Sequence, residues 1–277
     1  MPGKNLDPAS PRALLGAELR VARERAAMSQ AGLGEKLFVS GSYVGQMEAG
    51  TRRITPELAA SIDGILGTNG FFARNCAKQG KSKYPDHFVE AAEAEAEALA
   101  IREYAPQLIP GLLQTEAYAR EMFRAGLPTA PESDIDELVA NRLDRAAVLA
   151  DPTTPMLWCV LDETVLRRAG DSKAVVAEVL RHIAALIRRR RIIVQVLPFS
   201  AGMHAAMEGS LKLMSFEDAP PLAYIQAMGT GQLLDDPATV ADHALTYDQL
   251  MANALPPRKS LALIESVAED YEHDQHA

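Results

Sequence analysis

Ser29-Gln30-Ala31-Gly32-Leu33-Gly34-Glu35-Lys36-Leu37-Phe38-Val39-Ser40-Gly41-Ser42-Tyr43-Val44-Gly45-Gln46-Met47-Glu48-Ala49-Gly50 is the stretch that decides how this chain begins to fold. Ser29 and Ser40 each precede a short run with apolar residues at helical spacing, and a Ser hydroxyl there satisfies the open N–H groups of a first turn. The spacing predicts helices over residues 30–37 and 41–47, joined by a turn of about three residues that forces them to cross steeply. Leu33, Leu37, Val39, Val44 and Met47 are placed to lock the crossing. Such a corner presents the outer face of its second helix to a DNA major groove, which is wide enough to admit it. Gly41, Ser42, Gln46 and, in part, Tyr43 are the outward positions.

Upstream, Ser10-Pro11 opens a helix carrying Leu14, Leu15, Leu19 and Ala22 at helical spacing, with Arg20, Arg23 and Arg25 towards its end. Downstream, Gly50 ends the unit and Thr55-Pro56 opens a fourth helix through Leu58, Ile62 and Leu66. Gly67 and Gly70 then bracket a turn before Phe71 and Phe72, which close a small core. Lys78-Gln79-Gly80-Lys81-Ser82-Lys83 is polar and basic, and Tyr84-Pro85-Asp86 interrupts any helix. We expect a five-helix domain over residues 1–77, a linker over 78–87 and a second domain over 88–277; a surface loop within one domain is the alternative to the linker.

The whole-chain numbers fit two domains: 277 residues, 48% hydrophobic and 23% charged. No apolar run reaches the length of a membrane span, about 18 residues, and the N-terminus lacks the pattern of an export signal, so a cytoplasmic protein is expected. Residues 1–83 carry 12 Lys and Arg against 7 Asp and Glu, a net of +5; residues 84–277 carry 16 against 30, a net of −14. A basic head on an acidic body directs only the head at phosphate. Cys76 and Cys159 fit neither a metal spacing nor a disulfide framework, and no cofactor or metal is expected.

The second half changes texture. Residues 88–103 are Ala/Glu-rich and read as helix, followed by helices over 115–125 and 134–149. Residues 156–161 are a compact apolar run read as a buried strand. Helices over 163–168 and 172–190 precede strands over 192–197, 210–216 and 222–227, and a last helix pair covers 237–252 and 260–268. The order predicts a mixed α/β (α+β) domain.

The quoted stretch resembles the helix-turn-helix of the lambdoid phage repressors and the wider Xre family, over residues 12–70. Gln30 opening the first motif helix, Ser40 capping the second and Glu48-Ala49-Gly50 at the end carry the resemblance. It implies a lambda-repressor-like domain in which the recognition helix reads bases. Ser42 and Gln46 are then the base-edge candidates, with Tyr43 partly outward. Gln30 and Ser40 would bond phosphate, Arg52 and Arg53 would lie on the backbone, and Arg23 would reach it. Gly34 stands where Ala is usual, Phe38 where Gly often sits in the turn, and Ala49 where Asn is common. Gly41 and Gly45 leave the reading helix sparse, which shifts specificity towards DNA shape and dimer spacing. The bland alternative is a five-helix bundle with no DNA role.

In the second half, residues 109–120 (Ile109-Pro110-Gly111-Leu112-Leu113-Gln114-Thr115-Glu116-Ala117-Tyr118-Ala119-Arg120), Asn141-Arg142-Leu143-Asp144-Arg145, Leu161-Asp162-Glu163 and Val194-Gln195-Val196-Leu197-Pro198-Phe199 resemble the C-terminal domain of antitoxin-like, WhiJ-related actinobacterial regulators. That resemblance implies a transcriptional regulator working with a small companion protein, and no ligand.

Asp162, Glu163 and His204 could serve acid–base chemistry, but no nucleophile motif, phosphate loop or metal cluster accompanies them, and capping and loop roles are the simpler readings. Arg188-Arg189-Arg190-Arg191 either caps a helix end or meets an acidic partner or a second copy. Met203, Met207, Met214, Met228 and Met251 read as core filling or as an adaptable pocket. The expectation is a non-enzymatic, homodimeric regulator that binds double-stranded DNA and senses a partner protein or ligand. The leading alternative is an antitoxin that neutralises a small basic protein and controls its own operon.

Overall fold

The computed structural model describes residues 11–50, 52–76, 86–169 and 172–273. The chain divides into two compact units, Met1–Glu93 and Ala94–Ala277. The expected Ser10 cap lies outside the described residues, as does the expected linker except for its last two positions, which open a helix.

The first unit holds α1 (Pro11–Arg25), α2 (Gln30–Leu37), α3 (Gly41–Glu48), α4 (Pro56–Leu66), α5 (Phe71–Cys76) and the first part of α6 (Asp86–Glu97). Ser29, Ser40 and Thr55 cap α2, α3 and α4 as their positions require, each accepting from a backbone N–H three residues on. Leu15, Leu19, Leu33, Leu37, Val44, Met47, Ile54, Ile62 and Phe72 form one buried core. Phe71 meets Phe72 edge to face at 5.2 Å. Asp63 ties α4 to α5, accepting from the Thr68 hydroxyl and from the N–H groups of Phe72 and Ala73. Burial opposes its charge, yet those hydrogen bonds hold its carboxyl below the ordinary range.

The second unit is built on a six-stranded sheet of order β3-β2-β1-β4-β5-β6. β1 (Ala100–Ala105), β2 (Met156–Asp162) and β3 (Ile192–Leu197) run parallel, while β4 (Ser210–Ser215), β5 (Leu222–Ala227) and β6 (Thr230–Leu234) add antiparallel. α7 (Glu116–Gly126) and α8 (Glu132–Ala146) connect β1 to β2; α9 (Glu163–Arg167) and α10 (Lys173–Arg188) connect β2 to β3. α11 (Pro237–Asn253) and α12 (Pro257–His273) follow β6. Tyr104, Val160, Leu211, Leu213 and Ala223 pack under Val240, Tyr247 and Leu250 of α11. The fold is thus an all-helical helix-turn-helix head followed by a mixed sheet with helices.

Two strands depart from the sequence expectation. β1 occupies the end of a segment read as helix, because pairing with β2 on one side and β4 on the other overrides the helical preference of Ala-Ile-Arg-Glu-Tyr-Ala. β6 was not expected; it is a short edge strand closing a tight turn at Met228-Gly229. The methionines also divide: Met214 is buried and Met251 lies against the core, but Met203, Met207 and Met228 are exposed on loops, where no strand face turns them inward.

Candidate nucleic-acid interface

The α2–α3 corner is close-packed to the backbone. A Cβ on Gly34 would lie 2.7 Å from the Val39 carbonyl oxygen, which explains why nothing larger stands inside the motif. Phe38 makes the turn in the left-handed region at φ 58° and is 96% exposed. A Cβ on Gly41 would meet Ala31 of α2, and one on Gly45 would meet the Gln30 side chain. Gly41 therefore faces the partner helix, not outward as the spacing implied. The sparseness of α3 serves the helix crossing.

Two charged clusters then fix the edges of α3. In the first, buried Glu48 is ion-paired with Arg23, whose second nitrogen donates to it at 3.1 Å, and Gln30 Nε2 donates at 2.9 Å. Arg23 also donates to the Met28 carbonyl at 2.8 Å, and Arg20 lies 3.6 Å from the same carboxylate. Burial opposes the charge on Glu48, but hydrogen bonds from Arg23 and Gln30, with the positive charges beside it, hold its pKa down. Arg23, expected to reach phosphate, is turned inward to neutralise Glu48, because a buried carboxylate requires a cation. The Gln30 amide is likewise engaged inside the corner.

In the second cluster, Arg52 Nη2 donates to Glu90 Oε2 at 2.9 Å and Nη1 to Gln46 Oε1 at 3.3 Å. Its guanidinium lies 3.5 Å over the Tyr43 ring, and the Tyr43 hydroxyl donates to Glu90 Oε1 at 3.0 Å. Arg52 is 5% exposed, so it does not stand open on the loop as expected from sequence. Ser40 spends its hydroxyl oxygen on the Tyr43 N–H. Ser42, Gln46 and Arg53 are half-buried, and of these Gln46 joins the cluster through Arg52. Sequence reasoning missed Glu90 entirely, since nothing in its Ala/Glu-rich surroundings distinguishes it, and treated Glu48 only as the end of a motif.

In the second unit the distinctive sequence blocks find each other. Gln114 donates to the Ile109 carbonyl at 2.7 Å and accepts from Arg142 at 2.6 Å, while the Ile109 N–H donates to the Tyr118 hydroxyl at 3.2 Å. Arg145 lies against Gly111 and, 3.3 Å away, meets Glu95. Lys212 is ion-paired with Glu95 and lies 3.2 Å from Glu103, directly opposite it in the β1–β4 register. These residues form a buried ionic knot that ties α6 and α8 to the sheet.

At the carboxyl ends of the parallel strands, Tyr104 Oη lies 3.3 Å from His204 Nε2, with Asp162 4.0 Å from the same nitrogen. The Ala206 N–H donates to His204 Nδ1 at 3.3 Å, which leaves a neutral ring's proton on Nε2. Burial, with the Asp162 charge beside it, pushes the Tyr104 hydroxyl well up. Asp162 caps α9, and Glu163 accepts from Arg167 and from the Phe199 N–H. The arginine run is divided as well. Arg191 donates to the carbonyls of Leu149, Thr154 and Pro155, and Arg188 pairs with Glu265 at 2.7 Å. Among the described residues no group of His, Cys, Asp and Glu is placed to hold a metal ion, and no helix is long and apolar enough to cross a membrane.

Residues 14–70 match the model of a helix-turn-helix domain, which makes the head one of the class that points to a DNA-binding regulator. Residues 88–266, well over half of the chain, match the domain of unknown function DUF5753, and the chain belongs to that family. Comparison with curated proteins and with solved structures gives no match.

Proposed function

We propose that the chain is a sequence-specific, cytoplasmic transcriptional regulator of the Xre type, with α3 as its recognition helix and DNA as its partner. The carrying observation is the capped α2–α3 corner inside the matched helix-turn-helix domain, with Ser42 and Gln46 on α3 and Arg53 in the loop that follows. Gln46 is the base-reading side chain, because an amide can bond both adenine atoms in the major groove. One reading helix of this size gives limited affinity, so the working form is a homodimer spanning two half-sites about 34 Å apart. The DUF5753 unit senses a partner protein or ligand without catalysis; the duties of Asp162 and Glu163 as cap and backbone acceptor support that reading.

Selection of bound duplexes from a random pool, followed by sequencing, tests this. Wild-type protein should enrich a two-part motif, and Gln46→Ala should relax one position in each half. Enrichment of no motif by the wild type would overturn the assignment.

The net charge of −14 over residues 84–277 favours a second reading, a WhiJ-related antitoxin that binds a small basic protein while controlling its own operon. Co-purification of a small basic protein whose toxicity the chain suppresses would establish it.

A further inference from the structure

We infer that Glu90 sets the DNA affinity of the head by holding Arg52 back from phosphate. This rests on the reading of α3 as the recognition helix. Both Glu90 oxygens are occupied at the edge of that helix, Oε1 by the Tyr43 hydroxyl and Oε2 by Arg52. Arg52 completes a ring by lying over Tyr43 and donating to Gln46. One carboxylate thereby organises three side chains that sequence alone assigned to DNA. A guanidinium neutralised in this way releases no counterions from a duplex, and a carboxylate placed beside the reading helix repels phosphate.

The restraint can be undone. The Glu90 side chain keeps 22% of its exposure, so water reaches the pair and solvates both charges when they part. Glu48 differs, since its side chain is fully enclosed and its partner Arg23 is locked to the Met28 carbonyl. Of the two carboxylates on α3's edges, one is a fixed part of the core and the other is a catch. Glu90 also falls inside the stretch matched by DUF5753 while folding with the head.

The test uses the full chain and a labelled random-sequence duplex of about 30 base pairs, with anisotropy read between about 50 and 200 mM salt. Glu90→Gln, which keeps shape and removes charge, should bind about fivefold tighter at the low end, with a salt dependence steeper by about one unit. The gain should disappear in the double variant Glu90→Gln, Arg52→Gln. Circular dichroism melting establishes that each variant is folded, and Glu90→Ala provides a second release of the same catch. Equal or weaker binding by Glu90→Gln, or a gain that survives loss of Arg52, overturns the inference while leaving the DNA reading intact. Absence of binding by wild type and both Glu90 variants at low salt overturns the two together.

Discussion

The two units bury charge for different ends. In the sheet unit, Glu95 of α6, Glu103 of β1, Arg145 of α8 and Lys212 of β4 meet in one buried cluster and join four elements. In the helical unit the charges flank a single short helix, Arg23–Glu48 on one side and Arg52–Glu90 on the other. The first arrangement specifies a fold. The second orients a surface, and its strength there trades against the charge left over for DNA. Buried ion pairs are expensive to break from one side only, which is why the comparison can be probed by single substitutions.

The largest effect should come from the sheet unit. Lys212→Met removes the cation that Glu95 and Glu103 share, and should destabilise that unit by about 3–5 kcal/mol. The single tryptophan, Trp158, stands on β2 of that unit, so its fluorescence in a denaturant titration reports the change. Unaltered unfolding would show that the knot is dispensable.

Glu48→Gln should cost the head about 2 kcal/mol, because Arg23 then stays buried beside a neutral amide. The pH dependence follows from the depressed pKa of Glu48. A carboxyl whose folded pKa is lowered contributes its full stability above the unfolded value, about 4.3, and loses it as pH falls through the folded value. Melts followed by far-ultraviolet circular dichroism should therefore separate wild type from Glu48→Gln at neutral pH and converge in acid. A constant gap down to the acid end would remove Glu48 as the source.

The smallest effect concerns Arg53, half-buried in the loop after α3. Arg53→Ala should weaken all duplexes alike and flatten the salt dependence of binding by about one unit. A variant that lost only its preferred sequence would make Arg53 a reader of bases.

The helical unit was legible because its determinants are local. A Ser or Thr cap opens each of α2, α3 and α4, apolar residues recur every third or fourth position, and a Gly follows α3 and α4, all visible within one turn of a boundary. The parallel strands β2 and β3 were equally plain as apolar runs. β1 was hidden because α6 ends at Glu97 and the strand starts at Ala100, too short a break to interrupt an Ala/Glu-rich pattern. Its strand character comes from neighbours that arrive more than fifty residues later. The same distance concealed the roles of Arg23, Arg52 and Glu90. Sequence showed which cations could reach phosphate but not which carboxylates would claim them first.

Both cysteines are enclosed, Cys76 in the helical core and Cys159 on β2, where burial and the Glu103 charge push its thiol far up the scale. Burial shuts a dye out from both, and for Cys159 the raised thiol also withholds the reactive thiolate, so neither is a ready target for an alkylating dye while the protein stays folded. A cysteine introduced at exposed Ala49 would accordingly take up a fluorophore alone, in an otherwise natural chain, and report in real time whether α3 meets a duplex.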